Sequence, residues 1–185
     1  MNDALAPGHD GRLRCWWGVS TPEYVAYHDE EWGRPVRDSR ALYEKVCLEA
    51  FQSGLSWITI LRKREHFRAA FAGFDPAVVA QYGEQDVERL MGDAGIVRNR
   101  AKILATITNA RAALDVDLAE LMWRFAPEPR PRPKTRGEVP PTSPESKALS
   151  KALKQHGFVF VGPTTAYAAM QACGLVDDHI EGCCA

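Results

Sequence analysis

Cysteine and histidine residues lie near both ends of the chain at spacings that could bind a metal ion. Cys15 and His28 occur near the start, and His179 and Cys183 occur near the end. Thiolate and imidazole are the ligands that tetrahedral zinc prefers, and a His-x-x-x-Cys spacing places both side chains on one side of a helical turn. The pattern predicts a metal site that joins the two termini. Cys184 is an alternative ligand to Cys183, and all these cysteines could instead be unligated.

A second group of residues could bind a planar ligand. It combines aromatic rings with a carboxylate and an amide: Trp16, Trp17, Tyr24, Tyr27, Trp32, Glu49, Gln52 and Trp57. Trp and Tyr rings can stack on a heterocyclic base while a carboxylate accepts hydrogen bonds from its amino group. The alternative is an ordinary aromatic core with Glu49 facing water. Because Glu49 adjoins Ala50 and Phe51, we expect it to border the core, where its pKa would rise unless it is partnered.

A third pattern, centred on Gly95, predicts a hairpin between two helices. One helix ends near Met91, a glycine turn follows, and Arg98, Arg100 and Lys102 occur where the next helix begins. Backbone N–H groups at such a helix start bind phosphate with help from the helix dipole and nearby cations. A plain αα-hairpin with a glycine cap would have the same local sequence.

Helical patterns cover most of the chain and must position these three groups. Thr21, Asp75 and Ser143 each precede a proline, an arrangement that begins a helix. Apolar residues at helical spacing predict further helices after Ser39 and Ser56 and over residues 84–91, 99–114, 118–125, 144–156 and 164–173. Only residues 158–161 are strand-like, and one short strand cannot form a sheet. The sequence therefore predicts an all-α fold.

The remaining segments frame a single domain. Residues 1–13 are expected to form a flexible N-terminal tail, and residues 14–185 a single all-α domain. Within it, residues 126–143 carry Arg130, Arg132, Lys134 and Arg136 among many prolines and show no helical period. This composition predicts a long basic loop, extended where the prolines cluster.

Composition limits the classes of function. The 185 residues include 23 Lys and Arg, 24 Asp and Glu, and 45 % hydrophobic residues, which fits a globular domain rather than a disordered chain. No segment approaches the ~20 apolar residues of a membrane span, and residues 1–14 lack the apolar region of a secretory signal. We therefore expect a cytoplasmic protein with reduced cysteines. The net charge of −1 disfavours a nucleic-acid partner, but basic runs at residues 62–68, 98–102 and 130–136 favour one positively charged face.

Four blocks of sequence closely resemble the type I 3-methyladenine DNA glycosylases, over residues 14–184. The blocks are Tyr27-His28-Asp29-Glu30-Glu31-Trp32-Gly33, Gly54-Leu55-Ser56-Trp57-Ile58-Thr59, Asp93-Ala94-Gly95-Ile96-Val97-Arg98, and Met170-Gln171-Ala172-Cys173-Gly174-Leu175-Val176 with His179. The resemblance implies a helix-hairpin-helix glycosylase fold with one structural zinc ion. It further implies an enzyme that flips 3-methyladenine out of alkylated duplex DNA and hydrolyses the N-glycosidic bond without lyase activity. The products would be free 3-methyladenine and an abasic site.

The resemblance also implies roles for individual residues. The zinc ligands would be Cys15, His28, His179 and Cys183. Glu49 and Tyr27 would be catalytic, and Trp17, Trp32, Trp57 and Gln52 would bind the base. Gly54 and Leu55 would enter the duplex, with Leu55 filling the gap left by the flipped nucleotide, and the predicted hairpin contacts to DNA are Gly95, Arg98, Arg100 and Lys102. We expect the enzyme to act as a monomer.

Two other functions stay open on the sequence alone. A non-catalytic helix-hairpin-helix module would bind duplex DNA in a salt-sensitive way but release no base. A pocket for a small planar metabolite would leave DNA binding weak and insensitive to salt. Base release from methylated DNA separates all three interpretations.

Overall fold

Helices form most of the protein, for which a computed structural model describes residues 3–185. They are α1 (Pro22–Glu30), α2 (Ser39–Gln52), α3 (Trp57–Ala70), α4 (Pro76–Val79), α5 (Glu84–Gly92), α6 (Arg100–Leu114), α7 (Leu118–Trp123), α8 (Pro144–Gln155) and α9 (Pro163–Ala172), with 3₁₀ turns at Ala72–Phe74 and Arg136–Glu138. The sequence predicted an all-α fold; the structure confirms a mostly helical one and adds a two-stranded sheet. None of the helices in the described chain combines the length and apolar character that crossing a membrane requires.

Helix starts follow the capping residues. Thr21, Asp75 and Ser143 accept hydrogen bonds from backbone N–H groups in the first turns of α1, α4 and α8, and each is followed by a proline. Asp38 and Asn99 cap α2 and α6 in the same way. Because these caps satisfy N–H groups that have no partner within the helix, they determine where each helix begins.

The N-terminal segment forms a short hairpin where the sequence predicts a flexible tail. Strand β1 (Leu5–Pro7) pairs antiparallel with β2 (Leu13–Cys15), and Ala4 is fully buried beside Ile180. The hairpin is held by contacts with residues distant in sequence, which a local pattern does not reveal. Residues 1 and 2 of the expected tail lie outside the described residues.

The strand-like residues 158–161 connect α8 to α9 without pairing to a strand. Phe158 and Val161 are buried, which explains the apolar run. Side chains satisfy the backbone instead: Asn109 bonds both the N–H and the C=O of Val159, and Ser150 Oγ donates to the Val161 carbonyl at 2.6 Å. The segment is therefore a buried connection.

Helix α2 lies at the centre of the core and packs against α3, α6, α7 and α9. Its buried side chains include Leu42, Val46 and Phe51. Phe51 packs against Phe67 of α3 and against Phe71, whose ring stacks on Phe74 of the following 3₁₀ turn. Because α2 is surrounded on most sides, polar residues in its last turns must either be buried or line a cavity.

The basic loop, residues 126–143, is attached to the C-terminal segment by ion pairs. Its pairs are Arg130 with Asp178 at 2.7 Å, Arg132 with Asp177 at 2.8 Å and Lys134 with Glu181 at 3.8 Å. Arg136 lies 3.8 Å from the Asp3 carboxylate. The cations of this loop therefore have acidic partners within the same molecule.

Candidate active site and metal centre

The four predicted metal ligands form one cluster. The ligand atoms of Cys15, His28, His179 and Cys183 all lie within 4.8 Å of one another. Cys183 Sγ is 3.3 Å from His28 Nε2 and 3.7 Å from His179 Nδ1, and Cys15 Sγ is 3.7 Å from His179 Nδ1. A tetrahedral zinc ion with ordinary bond lengths separates sulfur and nitrogen ligands by about 3.5 Å. The cluster could therefore hold such an ion.

Both histidine rings are oriented by oxygen atoms outside the cluster. His28 Nδ1 donates to Asp29 Oδ1 at 2.8 Å, and His179 Nε2 donates to the Trp32 carbonyl at 3.1 Å. The buried Arg14 guanidinium fixes Asp29 through bonds of 2.9 and 2.7 Å. With one nitrogen donating outward, the other presents its lone pair to the cluster, as in histidines that bind metals.

The ligands come from three separate elements. Cys15 ends β2, His28 lies in the last turn of α1, and His179 and Cys183 lie in the segment after α9. Cys184 is outside the cluster, and its backbone N–H donates to the Leu13 carbonyl. The fold thus brings together the two pairs that sequence spacing alone could not link.

A cavity of about 320 Å³ lies beside the cluster and collects the predicted aromatic group. Its walls are formed by Trp16, Trp17, Tyr24, Tyr27, Trp32, Glu49, Gln52, Trp57, Val139, Ala168, Gln171 and Asp178. The first eight of these are the residues that the sequence suggested for a planar ligand. Their size and composition suit a small ligand with one or two polar groups.

The aromatic rings of the cavity are in mutual contact. The Tyr27 and Trp57 ring centroids are 5.4 Å apart, and those of Trp17 and Trp32 are 5.0 Å apart with planes at 77°. Trp32 also packs edge-on against His179, a member of the Cys/His cluster, with ring centroids 4.8 Å apart. The wall that would face a ligand is therefore continuous with the Cys/His cluster.

Glu49 places a buried carboxyl group in the cavity wall. It lies near the end of α2, is 6 % exposed, and has no hydrogen-bond donor within residues 3–185. Burial raises the pKa of Glu49 to about 8, although the Lys45 ammonium lowers it. A carboxyl group without a donor of its own is free to accept hydrogen bonds from a ligand.

Charged residues behind the cavity are paired with one another. Lys45 and Arg64 both donate to the Glu31 carboxylate, Arg64 at 2.6 and 2.7 Å. Burial raises the pKa of Glu31, but these two cations outweigh it and hold the pKa below its usual range. Burial, with the nearby Glu49 and Glu31 charges, raises the pKa of Tyr27 well above its ordinary value, so its phenol stays protonated.

Trp57 contributes an unpaired donor to the same wall. Its Nε1 is the buried side-chain nitrogen or oxygen without a hydrogen-bond partner in the part of the chain that the structure describes. Buried polar groups are nearly always paired, so this orphan donor beside the cavity is available to bond a ligand.

Gln171 and Asp178 line the cavity but were not singled out by residue type and spacing. The Asp178 carboxylate is buried and accepts from Tyr167 Oη at 2.6 Å, Arg130 at 2.7 Å and Gln171 Nε2 at 2.9 Å. Since a carboxylate only accepts, the Gln171 amide is fixed with its nitrogen toward Asp178. The one sequence signal for Gln171 was its place in a block shared with the glycosylases.

The turn that follows α2 projects an apolar side chain beside the cavity. Gly54 has a φ of 82°, and open space surrounds the position of its missing Cβ. Leu55 is 42 % exposed. Because Gln52 and Trp57 flank the turn and line the cavity, Leu55 lies near the cavity mouth.

Residues 93–99 form the predicted turn between α5 and α6. Gly95 N–H donates to Asp93 Oδ1 at 2.7 Å, and a Cβ at Gly95 would lie 2.8 Å from the His66 ring. Four backbone N–H groups at the start of α6 have no acceptor among the described residues: those of Val97, Arg98, Arg100 and Ala101. This arrangement can bind an anion.

The three cations predicted to contact DNA here have different environments. Arg98 is exposed and has no ion pair in the described chain, whereas Arg100 bonds Glu88 at 2.6 Å and also Glu84. Lys102 is not at the surface: its Nζ donates to the carbonyls of Phe51 at 2.8 Å and Ser53 at 2.5 Å. Tertiary packing, which the charge pattern does not show, turns this side chain inward.

The basic run at residues 62–68 is also largely paired. Arg62, Arg64 and Arg68 bond Glu23, Glu31 and Glu44, respectively. The positively charged face is therefore smaller than the sequence predicted.

The chain matches the methyladenine glycosylase family model over residues 17–185. It is 52 % identical over 178 residues to DNA-3-methyladenine glycosylase 1 of Escherichia coli (strain K12), covering 92 % of this chain and 95 % of that protein. It is 47 % identical to DNA-3-methyladenine glycosylase of Haemophilus influenzae, covering 92 % and 96 %.

Solved structures agree with this match. A crystal structure of 3-methyladenine DNA glycosylase I superposes with a TM-score of 0.89 at 50 % identity, over 92 % of this chain and 98 % of that one. A Staphylococcus aureus structure, described as the structural basis of 3-methyladenine recognition, gives a TM-score of 0.86 at 36 % identity, over 90 % and 93 %. The chain belongs to the methyladenine glycosylase family.

Proposed function

We propose that the protein is a base-excision repair glycosylase that removes 3-methyladenine from alkylated duplex DNA by hydrolysis. Its relatives carry that name at about half identity over nearly their whole length. The observation that carries the proposal is the buried Glu49 carboxyl group, without a donor of its own, in an aromatic cavity.

The chemistry of the lesion suits this cavity. Adenine methylated at N3 in DNA is a cation, so it is a good leaving group and its N-glycosidic bond needs modest assistance. Tyr27, Trp32 and Trp57 stack on the ring and favour its positive charge. Glu49 accepts from the exocyclic amino group and stabilises the cation electrostatically.

Bond cleavage then follows a simple course. The electrons of the N-glycosidic bond leave with the base, water attacks the oxocarbenium-like sugar, and the water loses a proton to solvent. The products are free 3-methyladenine and an abasic site. Tyr27 contributes a neutral phenol and Trp57 an N–H donor to the bound base, while Trp17 and Gln52 complete the wall.

The cavity can receive a base only after that base leaves the helical stack. We propose that Leu55, carried by the turn at Gly54, fills the gap in the duplex. The hairpin at Gly95 acts as a helix-hairpin-helix motif, in which the free N–H groups of α6 and the Arg98 guanidinium bind a backbone phosphate.

We further propose a monofunctional mechanism. A lyase step needs a free lysine amine beside the sugar, and within the described chain no lysine lines the cavity. The two buried lysines of the described chain are engaged, since Lys45 is paired with Glu31 and Lys102 with two carbonyl oxygens.

We also propose that Cys15, His28, His179 and Cys183 bind one zinc ion with a structural role. The donor set and the outward hydrogen bonds of both histidines support this assignment. When bound, the ion would fix the positions of the two termini and supply no chemistry to the glycosidic bond.

Base release from methylated duplex DNA tests the proposal. We expect the wild-type protein to release 3-methyladenine, and Glu49→Gln to slow the single-turnover rate about 100-fold while remaining folded, because one electrostatic contact is lost. The matched control is Glu120→Gln, at an exposed α7 residue paired with Arg124.

Three outcomes would contradict it. An unchanged rate for Glu49→Gln would show that Glu49 does not assist cleavage of the glycosidic bond. Salt-sensitive duplex binding without base release would identify a non-catalytic DNA-binding module. Weak, salt-insensitive DNA binding would instead favour a metabolite pocket.

A further inference from the structure

Lys102 is a buried cation that connects the hairpin to the turn carrying Leu55. It is the third residue of α6, directly after the hairpin, and is 7 % exposed. Its Nζ crosses to the end of α2 and donates to the Phe51 and Ser53 carbonyls at 2.8 and 2.5 Å. One side chain thus joins two elements that are about 50 residues apart in sequence.

Electrostatics explain the direction of this side chain. A cation in the first turn of α6 is disfavoured by the dipole of its own helix, whereas the C-terminal carbonyls of a helix attract one. Helix α2 has no basic residue in its last turn, and its final carbonyls lack partners within the helix. Lys102 supplies both the charge and the donors that the end of α2 lacks.

The turn at residues 53–56 has few other anchors. Ser53 and Leu55 donate to the Ala50 and Gln52 carbonyls, and Ser56 bonds Thr59, all of which are local contacts. Within the described chain, Lys102 makes the one hydrogen bond that joins this turn to a distant element. Residues 53–56 are all exposed and open space surrounds Gly54, so packing does not hold the turn either.

We propose that Lys102 is a positioning residue that sets the turn carrying Leu55 at a fixed distance from the phosphate-binding hairpin. Leu55 then enters the duplex in register with the phosphate held at the start of α6 and with the base in the cavity. Lys102 itself does not touch DNA. This role rests on the proposed function, because it concerns how the flipped state is reached.

The first test separates base flipping from base recognition. Lys102→Met keeps the aliphatic stem and removes both hydrogen bonds. We expect its single-turnover rate of 3-methyladenine release from duplex DNA to fall about 10- to 100-fold, the loss expected for hydrogen bonds from a charged donor. Duplex affinity should stay within about threefold, and free 3-methyladenine should quench tryptophan fluorescence with unchanged affinity.

Two further variants serve as controls. Lys102→Arg retains a donor-bearing cation and should recover part of the rate. Lys151→Met alters an exposed lysine of α8 that has no ion pair in the described chain, and it should behave as wild type. If Lys102→Met does not fold, Lys102→Gln, which keeps one amide donor, is held to the same criteria.

A double-mutant cycle with Leu55→Ala shows whether Lys102 acts through the turn. If it does, Lys102→Met should slow the Leu55→Ala protein by less than about threefold, because the side chain it positions is already missing. Additive losses, an unchanged Lys102→Met rate, or a parallel loss of free-base affinity would overturn the inference. A wild-type protein that releases no base would instead refute the proposed function.

Discussion

Glu49 links the stability of the protein to the charge of its ligand. Apolar neighbours on the central helix remove the carboxyl group from water, and burial raises its pKa to about 8 against the opposing effect of Lys45. In the unfolded chain the same carboxyl group would have its ordinary pKa of 4.5. A cationic base in the cavity would stabilise the ionised form that folding disfavours.

A pH-dependent stability follows from this shift. Between about pH 4.5 and 8 the folded state binds more protons at Glu49 than the unfolded state does, so the contribution of Glu49 to the unfolding free energy falls as pH rises. Glu49→Gln removes this effect. We expect the Tm of Glu49→Gln to exceed that of wild type by an amount that grows from pH 5 to pH 8. Each ~1 kcal/mol of difference in unfolding free energy should shift the Tm by about 2–4 °C.

Thermal unfolding in buffers of matched ionic strength measures this difference. Glu120→Gln, on exposed α7, controls for general charge effects. Parallel Tm curves for wild type and Glu49→Gln would show that the carboxyl group titrates normally.

Single residues also show what sequence could and could not predict. The aromatic residues and Glu49 line one cavity, as their types suggested. Tyr27, Glu49 and Trp57 lie on helices that the sequence predicted, whereas Trp16, Trp17 and Trp32 lie in turns that only the fold brings to the cavity. Lys102 was expected to contact DNA, yet it turns inward to the end of α2. Its acceptors are backbone carbonyls of a distant turn, which no local charge pattern reports.

The helices were predictable from their capping residues, whereas the hairpin β1–β2 was not, because its pairing depends on contacts with residues distant in sequence. Asn99 shows the first point, since its side chain caps α6 at Lys102 N–H and leaves the preceding N–H groups free. The strands β1 and β2 are three residues each, and their stability comes from contacts such as Ala4 with Ile180. Short strands carry little sequence signal of their own.

The hairpin between α5 and α6 should depend on Arg98 more than on Arg100. Arg98 is unpaired in the described chain, whereas the carboxylates of Glu84 and Glu88 already neutralise Arg100. We expect Arg98→Ala to weaken duplex binding and to reduce the slope of log K against log salt concentration by about one. Arg100→Ala should change the slope by much less.

Fluorescence anisotropy with a labelled duplex between about 50 and 200 mM salt gives both slopes. Equal losses for the two variants would mean that DNA displaces the Arg100 ion pairs. Unchanged binding for both variants would show that the hairpin between α5 and α6 does not contact DNA.

For the whole molecule, the net charge of −1 conceals an uneven distribution. Most arginines of the predicted basic runs are paired internally, including those of the loop at residues 126–143. The hairpin between α5 and α6 nevertheless carries an exposed cation, Arg98, without an ion pair in the described chain. A near-neutral total is thus compatible with DNA binding, because the position of unpaired charge matters more than its sum.

The cluster of Cys15, His28, His179 and Cys183 is the feature that closes the chain on itself. It joins β2 and α1 to the segment after α9, and His179 bonds the Trp32 carbonyl beside the cavity. Substitution of one of these four residues should therefore affect both the global stability and the shape of the aromatic wall. The residue types and spacing indicated the ligands, but only the packing of the two ends of the chain brings the two pairs together.

Cys183→Ser and Cys184→Ser form a matched pair for testing this closure. The purified wild-type protein and Cys184→Ser should each contain about one equivalent of zinc by elemental analysis, whereas Cys183→Ser should contain far less and unfold several degrees lower, because metal binding contributes folding free energy. Chelation should lower the wild-type Tm toward that of Cys183→Ser, and added zinc should restore it. Less than about half an equivalent in gently prepared wild type, or equal Tm values for the two variants, would show that the termini are held by protein contacts alone.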